Sequence, residues 1–284
     1  MLMKRKLIER MFLLRLFAIA FIALLSAALG GSIMQSANCT PIASAESPKL
    51  IAHFTTYYGE SSENRKYNVE LAARKIDGTV LYPEDEFSFN DTVGKRTEAN
   101  GFRNALIISD GEFVDGIGGG VCQVSSTVYN CALLAGLTIS HVRPHSLPVS
   151  YVAPSFDAMV SSETDFRFVN TLSGAVTLKV KTDGKYIRAE VYGFDEITVR
   201  RRSETIEVLP FETEYRDDDT LALGTEVIDS YGKNGLKSEG YLDFFKDGKM
   251  INSLLIRRDT YLPQKRVILR GTNPELMELP LQEQ

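Results

Sequence analysis

Residues 116–136 read GIGGGVCQVSSTVYNCALLAG, and this stretch sets the architecture of the first half of the chain. Its three consecutive glycines, Gly118–Gly120, predict a turn with positive φ. After the turn, small and apolar residues recur every three or four positions, at Val121, Val124, Val128, Cys131 and Ala135. That spacing predicts the buried face of a helix. Gly136 follows where a helix commonly ends.

The segments on either side predict an α+β domain. Its predicted elements are an extended segment at 46–65, a helix over Tyr67–Asp77, β-like residues 79–90, strands at Ala105–Ile108 and Glu112–Asp115, and strands at 166–170, 175–182 and 186–193. A helix that carries Cys122 and packs on an antiparallel sheet fits this order. We expect this domain to span residues 46–200.

The pattern changes near residue 200. From Ser203 to Thr272 there is no helical stripe, only short β-rich segments separated by glycine turns. Lys246–Lys249, with Asp-Gly at its centre, predicts a hairpin turn. These features predict an all-β module at 203–273, followed by a polar tail at 274–284.

The N-terminal segment, 1–45, has the features of an export signal. Five Lys and Arg residues stand against one acid, Glu9, and no side chain from Leu16 to Ala45 is charged. The apolar run 16–34 approaches the ~20 residues that span a bilayer. A cleaved signal peptide and a membrane anchor therefore both fit. Because the cations precede the apolar run, we expect the body outside the cell, either anchored to the membrane or secreted to the wall.

Composition excludes several classes of protein. The net charge of −5 and pI near 5.4 argue against nucleic acid as a partner, since its binders cluster excess Lys and Arg. Three Cys and three His are too few for a zinc ribbon or an iron–sulfur framework. No metal or other cofactor is expected.

Cys122 is the candidate nucleophile. It opens the predicted helix, where backbone N–H groups and the helix dipole stabilise a thiolate. The alternative is a small residue beside a structural turn. Cys131 lies about 13 Å further along the same helix, beyond disulfide reach, so at least one thiol is free. Its place in the apolar stripe predicts a packing role.

A thiol nucleophile needs a base. The candidates are His145, which lies between two prolines, His141 and His53. His145 is favoured because its restrained backbone would fix the imidazole. Asp157 is the candidate third residue, which would orient the imidazole.

The central stretch, followed by PHSLPVSYVAPSFDAMV at 144–160, closely resembles the VanW domain of Gram-positive cell-envelope proteins. The resemblance extends upstream through IDGTVLYPEDEFSFNDTVG and NGFRNALIISDGEFVDG and covers roughly residues 50–185. Some VanW-domain proteins are assigned as L,D-transpeptidases, which cross-link peptidoglycan through a cysteine. The resemblance implies that Cys122 is that cysteine, that His145 is the base and that Asp157 is its partner. The chain departs from the family at Ser155-Phe156, where Gly-Leu is usual, and at Met159, where Thr is usual.

The C-terminal module is similar to the G-five domain of exported wall proteins, an elongated β structure. That similarity implies contact with wall glycans or a spacer role.

Together these features predict an exported L,D-transpeptidase that acts on peptidoglycan stem peptides, with the membrane contacted through the N-terminal segment. The amides of the glycine turn would stabilise an oxyanion, and Ser125, Ser126 or Arg103 would contact substrate. The two serines could equally face solvent, and Arg103 could be an ordinary surface cation. Two other functions remain open: a cysteine peptidoglycan hydrolase, and a non-catalytic wall-binding or assembly module.

Overall fold

Strands dominate the structure, a computed structural model that describes residues 47–109, 111–195 and 198–276. All of these residues belong to one unit, 46–284. The predicted export segment, with Cys39, and the polar tail from 277 lie outside the described residues. Within the described part of the chain, no helix is both long enough and apolar enough to cross a membrane.

The first half of the chain contains nine strands and three α-helices within these residues. They are β1 (Lys49–Tyr57), α1 (Glu63–Ile76), β2 (Thr79–Leu81), β3 (Glu86–Ser88), α2 (Phe89–Val93), β4 (Asn104–Ser109), β5 (Glu112–Ile117), α3 (Val121–Leu134), β6 (Thr138–His141), β7 (Arg167–Val169), β8 (Val176–Thr182) and β9 (Tyr186–Gly193).

The second half is built from six longer strands. They are β10 (Thr198–Leu209), β11 (Thr213–Ala222), β12 (Glu226–Lys233), β13 (Gly235–Lys246), β14 (Lys249–Tyr261) and β15 (Gln264–Asn273). Short 3₁₀ turns occupy Glu98–Asn100 and Pro274–Leu276.

A four-stranded antiparallel sheet, in the order β1-β9-β8-β2, supports the first half. Helix α3, which carries Cys122, packs against β1 and β9. The predicted stripe of α3 is buried, but so are Ser125, Ser126 and Tyr129 on its other faces. The interpretation of the two serines as solvent-facing is therefore wrong. Because α3 is buried on all of these sides, Cys122, its second residue, is held in a fixed position.

A misplaced helix start and a helix that the sequence did not predict have the same physical cause. Helix α1 begins at Glu63, four residues before the predicted Tyr67, because the Ser62 side chain accepts a hydrogen bond from the Arg65 amide. The β-like segment predicted to reach residue 90 ends at Ser88, whose hydroxyl caps α2. In both cases a serine side chain satisfies an amide that the helix leaves unpaired.

The second half forms two three-stranded sheets, β10-β13-β14 and β11-β15-β12. The first is antiparallel, whereas β11 pairs with β15 in parallel in the second. The predicted hairpin turn joins β13 to β14, with positive φ at Asp247 and Gly248. Val199 and Leu242 from the β10-β13-β14 sheet belong to the same buried apolar cluster as α3. The two halves thus share a core.

Candidate active site

Cys122 is the second residue of α3, directly after the glycine turn. Gly118 and Gly120 have φ of 90° and 104°, values that favour glycine. The Cys122 sulfur lies 3.3 Å from the carbonyl oxygen of Val160 and 3.4 Å from its amide nitrogen. The thiol is therefore fixed between the start of a helix and the segment around residue 160.

The glycine turn is packed too closely for side chains. A Cβ on Gly119 would lie 2.6 Å from the carbonyl oxygen of Leu106 in β4. The buried Asn68 side chain donates to the Gly119 carbonyl at 3.0 Å and to that of Arg103 at 2.9 Å. These contacts explain why the turn requires glycine independently of any ligand.

His145 and Asp157 meet beside the thiol. Both are almost fully buried, at 5% and 1% exposure. Asp157 Oδ2 lies 2.7 Å from His145 Nδ1 and also accepts the His145 backbone amide at 2.6 Å. The imidazole also lies close enough to Cys122 for each group to shift the pKa of the other, and both side chains line the same cavity. The three residues that the sequence singles out therefore form one line of neighbouring side chains, Asp157, His145 and Cys122.

The electrostatics of this line favour a charged pair. Burial opposes ionisation of the thiol, but the hydrogen bond and charge of His145, with the Val160 amide and Arg96, hold the pKa of Cys122 below its ordinary value. Burial likewise opposes the charged form of His145, yet Asp157 and Cys122 raise its pKa to about 9. His145 and Arg257 outweigh burial and lower the pKa of Asp157. Both shifts favour the thiolate–imidazolium form of the pair over the neutral form.

The second oxygen of Asp157 is held by residues far along the chain. Tyr261 donates its hydroxyl to Oδ1 at 2.6 Å, and Arg257 Nη2 donates to the same oxygen at 2.9 Å. Arg257 Nη1 also donates to the Asp157 carbonyl at 2.7 Å. Both donors belong to β14, about a hundred residues beyond Asp157, and no local sequence signal indicates them.

Ser125 and Ser126 form hydrogen bonds with the backbone beside the site. Ser125 donates to the Ala158 carbonyl at 2.6 Å, and Ser126 accepts the Ala158 amide at 2.9 Å. Neither lines the cavity next to Cys122. Their geometry assigns them to holding the residue after Asp157 rather than to substrate contact.

A cavity of about 1070 Å³ adjoins the thiol. Its wall includes Cys122, His145, Gly118–Gly120 and apolar residues of the β4–β5 hairpin. Among the described residues, four cations line it, Arg65, Lys95, Arg96 and Lys233, against one acid, Asp91. Arg96 Nη1 donates to Asn90 Oδ1 at 2.7 Å, whereas its Nη2 is buried and has no hydrogen-bond partner among the described residues. The cavity is therefore electropositive.

Arg103, which the sequence predicted as a substrate contact, does not line this cavity. Its guanidinium carbon lies 3.6 Å from the centroid of the Tyr67 ring, over which it stacks. Sequence reasoning missed Arg65 and Arg96, because each is an ordinary helix or loop cation until the fold brings it beside Cys122. It also missed Tyr151, which lines the cavity within the recognised motif. Burial raises the pKa of Tyr151 well above its usual range, so its phenol keeps its proton.

The remaining candidates lie elsewhere. His53 in β1 and His141 in β6 are exposed, and neither lines the cavity. Cys131 is buried in α3, and its thiol donates to the Ala52 carbonyl at 3.7 Å. Burial raises the pKa of Cys131 to about 12. Both described cysteines are free thiols, but only Cys122 adjoins a base.

Comparison with known proteins identifies two domains. Residues 64–192 match the family model described as VanW like protein, and residues 200–273 match the G5 domain. The uncharacterized protein YoaR of Bacillus subtilis (strain 168) is 40% identical over 157 residues, which are 55% of this chain and 52% of YoaR. The Vancomycin B-type resistance protein VanW of Enterococcus faecalis (strain ATCC 700802 / V583) is 28% identical over 134 residues, 47% of this chain and 46% of that protein. The chain thus spans about half the length of the curated relatives it matches.

Two solved G5 structures align with the C-terminal part. The IgA1 protease G5 domain is 26% identical and covers 28% of this chain and 95% of its own, with a TM-score of 0.20. The G5 domain of HP0197 is 32% identical and covers 27% of this chain and 100% of its own, with a TM-score of 0.17. The resemblance noted from the motifs is confirmed by the family models and the relatives: this chain carries a VanW-like domain at 64–192 and a C-terminal G5 domain at 200–273.

Proposed function

We propose that this protein is an exported, cell-wall-associated L,D-transpeptidase that joins peptidoglycan stem peptides through a thioester on Cys122. The observation that carries the proposal is the line from Asp157 through His145, its hydrogen-bond partner, to the neighbouring Cys122 beside a large cavity. A nucleophile, a base and a group that orients the base are the minimum for acyl transfer.

In the first half-reaction, the Cys122 thiolate attacks the carbonyl carbon between the third and fourth residues of a donor stem. The amide C–N bond breaks, and His145 Nε2 gives its proton to the leaving amine of the terminal D-amino acid. The acyl group remains on Sγ as a thioester. In the second half, an acceptor amine attacks this thioester and passes a proton to His145. The C–S bond then breaks, which restores the thiolate and the imidazolium.

The oxyanion that forms in each half-reaction needs hydrogen-bond donors beside the thiol. The amides of Val121 and Gln123 already donate to the carbonyls of Gly118 and Gly120. The amides of Val121 and Gln123 are therefore not available to an oxyanion. We propose the amides of Gly119, Gly120 and Cys122 as its hydrogen-bond donors.

The charge of the cavity supports a donor with a free terminal carboxylate. Arg96 presents a buried Nη2 without a partner in the described chain, and Arg65 and two lysines add positive charge nearby. A guanidinium pairs well with a carboxylate. We assign Arg96 and Arg65 as contacts of the carboxylate on the leaving D-residue, and the G5 domain as a contact for wall glycans.

The test is incubation of the purified protein with disaccharide-tetrapeptide, followed by mass spectrometry. Cross-linked dimers that lack one terminal D-residue are expected. Cys122→Ala should abolish them, whereas the matched control Cys131→Ala should retain them, because Cys131 is buried away from the cavity. A tetrapeptide amidated at its C-terminus should be the poorer donor.

Other products would support other functions. Tripeptide without dimers would identify a peptidoglycan hydrolase, in which water resolves the thioester. No turnover by the folded protein, with wall binding unaffected in Cys122→Ser, would favour a non-catalytic wall-binding module.

A further inference from the structure

The Asp157 carboxylate is shared between the two domains. Its Oδ2 accepts two hydrogen bonds from His145, and its Oδ1 accepts one each from Tyr261 and Arg257 of the G5 domain. All four donor–acceptor distances lie between 2.6 and 2.9 Å. One half of the carboxylate therefore orients the base, while the other half is fixed from outside the VanW-like domain.

We propose that the G5 domain completes the active site, with Arg257 and Tyr261 acting as positioning residues that hold Asp157 and, through it, His145. This inference rests on the proposed catalytic role of Cys122 and His145. It gives the G5 domain a task in the reaction that is separate from any contact with the wall.

Tyr261 can act only as a donor to Asp157. Its side chain is 1% exposed, and burial together with the Asp157 charge raises its pKa above the usual range, so the hydroxyl stays protonated. The same oxygen accepts the Ser155 amide at 2.7 Å. Tyr261 therefore fixes both the carboxylate and the backbone two residues before it.

Arg257 donates hydrogen bonds to Asp157 at two points, the side-chain carboxylate and the backbone carbonyl of Asp157. The guanidinium is itself held by Asp259, which accepts from Nε at 2.5 Å. A buried carboxylate needs such partners, because an unpaired one would be protonated or would move. The arrangement supplies a compensating charge without occupying the oxygen that faces His145.

The neighbouring backbone is tied to the G5 domain as well. Ser203 donates to the Pro154 carbonyl at 2.8 Å, and Ser238 shares a 2.7 Å hydrogen bond with Ser155. The Leu262 amide donates to the Ser146 carbonyl, beside His145, at 2.8 Å. Both segments that carry the base and its partner are thus anchored to strands of the second domain.

The charged and titratable groups around this line come from several elements. On the thiol side they are Arg65, Arg96 and Tyr151, and on the carboxylate side they are Tyr129, Arg257, Asp259 and Tyr261. Tyr261→Phe removes two hydrogen bonds, the one to Asp157 and the one from the Ser155 amide, and changes none of these charges, so its effect reports on positioning alone.

The test measures the rate at which iodoacetamide alkylates Cys122 as a function of pH, in the full chain, with the modified residue identified by peptide mass spectrometry. Tyr261→Phe and Arg257→Lys should move the midpoint upward by roughly half a unit to one unit, because a misplaced imidazole stabilises the thiolate less. In the transpeptidation assay, kcat should fall about tenfold with KM unchanged, as expected for loss of one hydrogen bond to a charged group.

The matched control is Tyr241→Phe, a change of the same type in the same domain, since the Tyr241 hydroxyl bonds Glu239 rather than Asp157. It should leave both readouts unchanged. If Tyr261→Phe lowers the melting temperature but leaves the alkylation profile superimposed on that of the parent, Tyr261 is only a packing residue and the proposal is wrong. If the profile shifts while the parent protein forms no cross-links, positioning stands and the transpeptidase assignment fails. Should Arg257→Lys not fold, the outcome for Tyr261→Phe decides alone.

Discussion

At the scale of single residues, the proposed reaction depends on the proton that the His145 imidazole carries. The His145 ring lies between a carboxylate and a thiol, and its pKa of about 9 reflects both partners. An imidazole that is already protonated can deliver a proton to a leaving amine without first taking one from solvent. The same pairing keeps Cys122 as the reactive thiolate.

The pH dependence of turnover follows from these directions. His145 loses its proton as pH rises through about 9, so the acylation rate should fall above that pH. Below the lowered pKa of Cys122, the thiolate is protonated and the rate should fall again. Initial rates of transpeptidation measured between pH 5 and 10 should therefore give a bell-shaped pH profile. A rate that keeps rising above pH 9 would contradict the role of His145 as the acid.

Ser155 illustrates how a family substitution is accommodated. Its φ is 65°, in the region that favours glycine, and glycine is the usual residue of the family there. The hydroxyl pairs with Ser238 and the amide with Tyr261, so hydrogen bonds to the G5 domain offset the backbone strain. The departure from the family at Ser155, two residues before Asp157, thus leaves the Asp157 carboxylate with all of its hydrogen bonds.

At the scale of elements, the glycine turn and α3 form one unit with β4. Gly119 does not have a positive φ; its requirement is the close approach of the Leu106 and Ala105 backbone. Backbone, unlike a side-chain end, cannot move aside without disturbing the β4–β5 pairing. The position of the Cys122 sulfur is therefore coupled to the hairpin that forms one wall of the cavity.

Gly119→Ala tests this coupling. The new methyl group should destabilise the protein by about 1–3 kcal/mol through overpacking and slow alkylation of Cys122. Gly193→Ala is the control and should cost less, since a Cβ there meets the side chains of Ile51 and Val176 at 3.3 Å and backbone only at 3.9 Å, the Ala175 carbonyl oxygen. Urea denaturation measures the free energy of unfolding of both variants. Equal stability of the two would show that the turn tolerates the added carbon.

The sequence predicted local elements well and distant contacts poorly. Periodicity located α3 and its buried stripe, because helix packing repeats every three to four residues. The Cys122–His145–Asp157 line was also named in advance, since its members lie within one motif. The start of α1 was misplaced and α2 was not predicted, because a capping serine cannot be told from any other serine in the sequence. Arg257 and Tyr261 could not be found, since only folding brings β14 to Asp157.

At the scale of the whole molecule, the two domains behave as one body in their packing. Val199 and Leu242 of the β10-β13-β14 sheet lie in the apolar cluster that also contains Val124 and Val128 of α3. Arg201 stacks on Phe54 and Phe156 of the VanW-like domain. A module that served only as a spacer would not require such a shared core.

This packing predicts a single cooperative unfolding transition. Calorimetry should give a van't Hoff enthalpy equal to the calorimetric enthalpy, and the buried thiol of Cys131 should become reactive in the same transition. Tyrosine emission provides a second optical probe, because the chain has twelve Tyr and no Trp. Two resolved transitions, or a thiol that is released before the tyrosine signal changes, would mean that the domains unfold independently.

The anchoring of Asp157 by β14 also orders events during synthesis. The chain is made from its N-terminus, so the thiol, the imidazole and the carboxylate emerge at least a hundred residues before the guanidinium and the phenol that fix the carboxylate. Until β14 has been added and has paired with β13, the carboxylate lacks half of its hydrogen bonds. A nascent or truncated chain would thus carry the nucleophile without its full reactivity, and the thiol would become competent only after β14 has been made and has folded.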